Sequence, residues 1–323
     1  MTHERTVEKP VETLLTICDP HHHMWDRPGN RYMPGELLDD VNGNNVVRTV
    51  FIDCYSAYRM EGPPEMMPVG ETEFMQIIAS ASRTGKTQIA AGIVGHANLT
   101  LGEKVAPVLE AHIAAGKGFF KGIRHSTAWD ANLRSYMNSP RGLMVDSKFQ
   151  EGFAQLGKFG LSFDAWLYFH QLPEAAKIAL IFPNTTIIVD HIGGPINVGS
   201  PGHDGVMAEW KKGIAALRQL QNVYIKLGGL GMPVCGFDWD KRTERPGSAE
   251  LAAAMAPYYL YCIEQCGVNR CMFESNFPVD RVSYSYTAMW NAFKRIVKDF
   301  SAAEKSALFH DTAARAYRLE TGK

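Results

Sequence analysis

Eight short apolar runs recur along the chain, at 14–19, 46–54, 88–94, 118–124, 161–166, 185–190, 222–227 and 270–276. Longer stretches with helical spacing separate them, at 71–84, 103–115, 148–159, 173–181, 206–220 and 248–266, and three more follow at 284–299, 301–309 and 311–319. Runs that are apolar at nearly every position belong to strands covered on both faces, the situation of a parallel sheet. Strand and helix alternating from end to end predict such a sheet with crossover helices. Eight units in 323 residues match the size of a closed (β/α)8 TIM barrel. The α/β fold expected is a single domain over 1–323 with extra C-terminal helices. An open doubly wound sheet is the alternative, but no G-x-G-x-x-G turn follows the first run.

In such a barrel the chemistry sits where the strands run out at their C-terminal ends. Those ends carry His21 and His23, Asp53 and Tyr55, His96 and Asn98, Arg124 and His125, Asp164 and Trp166, Asp190 and His191, Lys226, then Glu274 and Asn276. Loops are polar in any protein, yet that bias does not supply so many histidines. Strand residues two apart share a side, so His21 and His23 converge while His22 faces away. Two long loops, 55–70 with Arg59 and 228–247 with Trp239, have the length of lids or interface segments.

Composition narrows the partner. A formal net charge of -1 argues against nucleic acid or an anionic membrane and for a small-molecule substrate. The stretch 1–10 has no apolar core of a secretory signal, and no run approaches membrane-spanning length. The six cysteines have no paired C-x-x-C spacing, which suits reduced thiols and a cytoplasmic location. The aromatic loops are compatible with a homodimer.

The stretch Asp19-Pro20-His21-His22-His23-Met24-Trp25 resembles the D-x-H-x-H-x-W opening of the amidohydrolase superfamily. Its nearest likeness is to the amidohydrolase-related TIM-barrel hydrolases, which include sugar lactonases and 2-pyrone-4,6-dicarboxylate lactonase. The likeness continues through Lys121-Gly122-Ile123-Arg124-His125, Val189-Asp190-His191-Ile192-Gly193-Gly194-Pro195, the segment 222–230, and Arg270-Cys271-Met272-Phe273-Glu274-Ser275-Asn276-Phe277-Pro278. It implies a hydrolase opening a lactone or related cyclic ester of a small anionic substrate. The implied catalytic and metal-binding histidines are His21, His23 and His191, which hold one divalent metal, zinc first, in some members and work without metal in others. Arg124 is implied to grip a substrate carboxylate, a task that suits the two parallel donors of its guanidinium. His125, Tyr55, Arg59, Asp164, His170 and Trp166 are expected around the substrate, with Trp25 and Trp129 as further walls.

One departure from the family pattern matters most. Where the pattern has an aspartate after strand eight, the chain has Asn276. An amide takes no proton near neutral pH, so Asn276 is not the base and is expected to orient water instead. Glu274 stands two residues earlier on the same face, about 6.6 Å lower, as a relocated carboxylate or as the partner of Lys226. Asp280 is a second candidate base. A metal-dependent decarboxylase of an aromatic acid and a non-catalytic binding descendant are the rival readings.

Overall fold

The structure, a computed structural model, describes residues 8–133 and 139–319. Residues 1–7 of the leading stretch read for a secretory signal lie outside the described residues. After β1 (Ile17–His22) come a hairpin of β2 (Trp25–Arg27) and β3 (Asn30–Tyr32), and helix α1 (Pro34–Val41). The alternation then runs β4 (Val46–Ile52), α2 (Val69–Ala81), β5 (Gln88–Gly95), α3 (Ala106–Gly116), β6 (Phe120–Arg124) and α4 (Ser147–Lys158). It continues with β7 (Ser162–Ala165), α5 (Leu172–Ile181), β8 (Ile187–Val189), α6 (Asp204–Ala216), β9 (Val223–Leu227), α7 (Ser248–Cys266) and β10 (Cys271–Phe273). Three helices close the described chain: α8 (Tyr286–Ile296), α9 (Ala302–Ser306) and α10 (Thr312–Ala316).

Setting the hairpin aside, the strands form one eight-stranded sheet in sequence order from β1 to β10, each neighbour parallel. A bridge between His22 and Phe277 brings the last strand's continuation against the first, and the barrel curls on itself. The expected (β/α)8 architecture is thus present. The first strand, however, begins three residues later than its apolar run. Leu14 is 91% exposed, and the ladder starts only where Ile17 N–H meets Asn45 O at 2.9 Å. The shift puts His21 and His22 inside the strand and holds their backbone rigidly.

The barrel's lower end is plugged from the C-terminal segment. Cys18, Val50, Ile52, Ile188 and Met272 bury against Ala313, Ala316, Tyr317 and Leu319, forming a cluster separate from the layer between sheet and helices. Thr312 Oγ1 donates to Val268 O and Arg315 Nη2 to Asn269 O, both just ahead of β10, which fixes the plug at the N-terminal mouth. Removing a tyrosine or leucine of this size from water is worth roughly 1.5–3 kcal/mol. With its floor filled, the barrel has its open mouth at the histidine end.

Candidate active site

His21 and His23 place their Nε2 atoms 3.2 Å apart. His23 Nδ1 donates to Ile52 O at 2.8 Å, so its Nε2 carries a lone pair. His22 turns the other way, 2.8 Å from Thr49 Oγ1, as strand alternation requires. Glu274 is wholly buried, with Oε1 2.6 Å from His191 Nδ1 and Oε2 2.9 Å from His21 Nδ1. Lys226 Nζ also lies 3.0 Å from His21 Nδ1, while it donates to Asp164 at 2.7 Å and Asp190 at 2.8 Å. Two tautomers of His21 therefore compete. Glu274 Oε2 is a buried carboxylate oxygen with no well-aligned donor, and a proton on His21 Nδ1 places one 2.9 Å from it. With the proton on Nδ1 in His21, His23 and His191, all three Nε2 atoms are bare.

Electrostatics keep these rings uncharged. Burial pushes His21 well below the usual histidine range, helped by Lys226, and burial with Arg124 does the same to His23. With the proton on Nδ1, each neutral ring accepts at Nε2. Burial would raise Glu274, but His191 and His21 outweigh it and hold the carboxyl at about 2. So weak a base, with both oxygens already on imidazoles, does not take a proton from water. The two expected roles for Glu274, water-activating base or partner of Lys226, give way to a third: it fixes the orientation of two histidines.

Backbone strain accompanies this arrangement. His191 and Asn276 adopt left-handed φ values of 53° and 55°, and β-branched Ile192 one of 50°. Each such residue costs on the order of 1–3 kcal/mol and persists only when its neighbours insist. Here His191 N–H donates to Glu274 Oε1 at 3.1 Å, Asn276 N–H to His21 O at 3.0 Å, and Trp210 Nε1 to Ile192 O at 2.8 Å. The glycines after β9 make the room. A Cβ on Gly228 would sit 2.3 Å from Glu274 Cγ, and one on Gly229, whose φ is 75°, only 2.5 Å from His191 Cβ.

Asp280 anchors Asn276. Its carboxylate accepts from Asn276 Nδ2 at 2.8 Å, Gly231 N–H at 3.1 Å and Tyr284 Oη at 2.5 Å. Burial still prevails over these donors and lifts the group to about 6. It is sealed from solvent and does not reach the cavity.

That cavity, of about 920 Å³, opens over β1 and β4–β6 and is lined in part by His23, Arg27, Tyr55, His96, Arg124 and His125. Trp25 walls it too, and among the described residues no acidic side chain lines it. Arg124 Nη2 donates to Asp53 O, while Nη1 stands 3.5 Å from His21 Nε2 and 3.8 Å from Asp190 Oδ2. His125 accepts from Leu99 N–H at Nδ1 and so carries its proton on Nε2. Arg27, whose guanidinium lies 4.5 Å from the Trp25 ring centre, was not singled out by sequence. Its signal was Pro28-Gly29, a turn pair that builds the hairpin carrying it.

Several expected substrate contacts fall elsewhere. Asp164 is wholly buried between Lys226 and Tyr317 Oη, the latter at 2.5 Å, because its strand position faces the barrel interior. Arg59 pairs with Glu73 on the surface. His170 donates to Trp129 O at 2.8 Å, and neither ring lines the cavity. Trp166 packs edge-on against His191 at 5.0 Å between ring centres and supports it from behind.

A metal seat of His21, His23 and His191 is not assembled. Among the described residues, the group of three whose ligand atoms lie within 4.8 Å of one another is His21, His191 and Glu274. Its atoms are paired at 2.6 and 2.9 Å, closer than the roughly 3.3 Å that separates two ligands of one tetrahedral zinc. The remaining convergence, His21 with His23, offers two donors and has the Arg124 cation beside it. With the Arg124 cation beside it, the His21–His23 pair does not fit a resident divalent ion.

Comparison with known proteins agrees with the fold. The amidohydrolase family profile matches residues 18–319, and the chain belongs to that family. An uncharacterized protein, y4mH, of Sinorhizobium fredii is 34% identical over 94% of this chain and 99% of its own. L-fucono-1,5-lactonase of Burkholderia multivorans is 27% identical over 66% of this chain and 68% of its own. A crystal structure of an amidohydrolase from Burkholderia multivorans with bound zinc superposes with a TM-score of 0.71, at 23% identity over 94% of this chain and 100% of that one. The chain is an enzyme of the amidohydrolase type. Among the described residues, no helix is long and apolar enough to cross a membrane.

Proposed function

We propose that the protein hydrolyses a lactone or related cyclic ester of a small carboxylated molecule, and that it does so in the cytoplasm, where its six free, buried cysteines stay reduced. The observation that carries the reading is a cavity lined by Arg27, Arg124, His96 and His125, with no acidic side chain among the described residues, that opens onto His23 and Arg124. An anionic ligand is attracted there and a cationic one is not.

The residues divide the work. Arg124 is fixed by Asp53 O and Asp190, so its free donor edge meets the ester carbonyl and stabilises the oxyanion as water adds. His191, held by Glu274 through Nδ1 and packed against His21 just beneath the cavity lining, receives on Nε2 the proton of a water that enters past His23, and returns it to the departing alkoxide. His21 and His23 offer further lone pairs to order that water. Arg27 and the Nε2–H of His125 take the substrate's carboxylate, away from the reacting centre.

The test is turnover of sugar-acid lactones and carboxylated pyrones followed by acid release, with products weighed for the gain of one water. Hydrolysis of a carboxylated lactone, much faster than of its uncharged counterpart, is expected. Carbon dioxide release from hydroxybenzoates with no lactone turnover would move the assignment to decarboxylation, and absence of both would remove it.

A further inference from the structure

We infer that Arg124 is the resident cation of the His21–His23 pair and keeps divalent ions out of it. The two Nε2 atoms stand 3.2 Å apart, and with both rings protonated at Nδ1 their lone pairs face each other. Bare nitrogens this close repel unless a proton, a metal or another cation stands between them. Their Nδ1 atoms are tied to Glu274 and to Ile52 O, the outer arrangement that metal-binding imidazoles usually have. The pair is thus built as two donors of a metal site, and a guanidinium occupies the neighbourhood. Arg124 Nη1 approaches His21 Nε2 to 3.5 Å, and Nη2 is held to Asp53 O.

Arg124 is 8% exposed and has little freedom to leave. Its charge is permanent, unlike a histidine's or a lysine's. An incoming dication would meet a like charge within a few ångströms, with Lys226 fixed on the far side of the His21 ring. Asp190 pairs with both of these cations, Asp164 with Lys226, and Glu274 is committed to His191, so these carboxylates are already engaged. The electrophile of this site is therefore supplied by the chain, and metal binding is latent beneath it.

The experiment titrates zinc into chelator-stripped protein by calorimetry, with cobalt absorbance as a second readout of coordination. Wild type, Arg124→Met, Arg124→Lys and the double variant Arg124→Met with His23→Ala are compared. Arg124→Met is expected to bind one zinc at least about tenfold more tightly than wild type and to develop visible cobalt bands. Arg124→Lys stays weak, and His23→Ala abolishes the gain. Equal zinc affinity in folded wild type and Arg124→Met overturns the inference, as does a gain that survives loss of His23 or appears equally in Arg124→Lys. Arg124→Gln carries the same expectations and substitutes for the methionine variant if that one does not fold. No turnover is measured, so the outcome is independent of the lactone reading.

Discussion

Replacing Glu274 by glutamine removes one charge and almost no volume. In the native site its Oε1 takes both the N–H and the Nδ1–H of His191, the latter at 2.6 Å, and Oε2 lies 2.9 Å from His21 Nδ1. Once His191 holds the proton taken from water it is a cation in contact with that carboxylate. At an effective dielectric of about 20 the pair is worth on the order of 5 kcal/mol, and a neutral amide retains only about 1 kcal/mol of hydrogen bonding. An amide nitrogen turned toward Nδ1 would also move the ring's proton to Nε2 and convert the base into a donor. Glu274→Gln is therefore expected to lose roughly two to four powers of ten in kcat. KM should stay within about threefold, because Arg27, His125 and the cavity wall are untouched. Initial rates of lactone opening by acid release, alongside a thermal melt, measure both. Because the folded carboxyl titrates near 2, below its ordinary range, its stabilisation is present above that range and lost as pH falls towards 2. The glutamine variant should lack that acid limb. A folded Glu274→Gln whose kcat falls less than about tenfold would refute the positioning role.

Two further outcomes follow from the buried charges. Lys226→Met strands Asp164 and Asp190 without their ammonium and should destabilise the chain by about 3–5 kcal/mol in urea unfolding, far more than a surface lysine would. Asp280 is raised by burial to about 6, so the folded chain holds that proton more tightly than the unfolded one. Stability therefore declines as pH rises from about 4 to 6, by roughly 2–3 kcal/mol, and Asp280→Asn should flatten the slope of melting temperature across that interval.

The barrel was legible because burial on both faces leaves a mark that local composition carries: eight runs, each with a helix behind it. The strand-end rule then located His21, His23, Arg124, His191 and Glu274 with no knowledge of distances. What stayed hidden was pairing. Whether Glu274 meets Lys226 or two imidazoles depends on how β1, β8, β9 and β10 stagger around the barrel, and that stagger is set by closure. Asp164 looked like a rim residue because its strand ends there, yet its position faces the interior. Leu14 looked like strand because it is apolar, but the ladder begins where a partner begins, at Asn45. The cation beside the histidines stayed hidden for a related reason: sequence shows three histidines, and only the assembled site shows Arg124 standing beside two of them.

Tyr317 gives this architecture a temporal side. Its hydroxyl bonds to Asp164 across 153 residues of chain. At about 5–20 residues per second a ribosome releases Asp164 roughly 8–30 seconds before it makes Tyr317. Through that interval the nascent barrel has every strand it needs soon after β10 emerges, but an open floor, with Cys18, Val50 and Met272 uncovered. The buried carboxylate that steadies Lys226, and through it the surroundings of His21, gains this partner only once Tyr317 has been made. Docking of the segment that carries Tyr317 is therefore the step that covers the barrel's floor and completes the surroundings of Asp164.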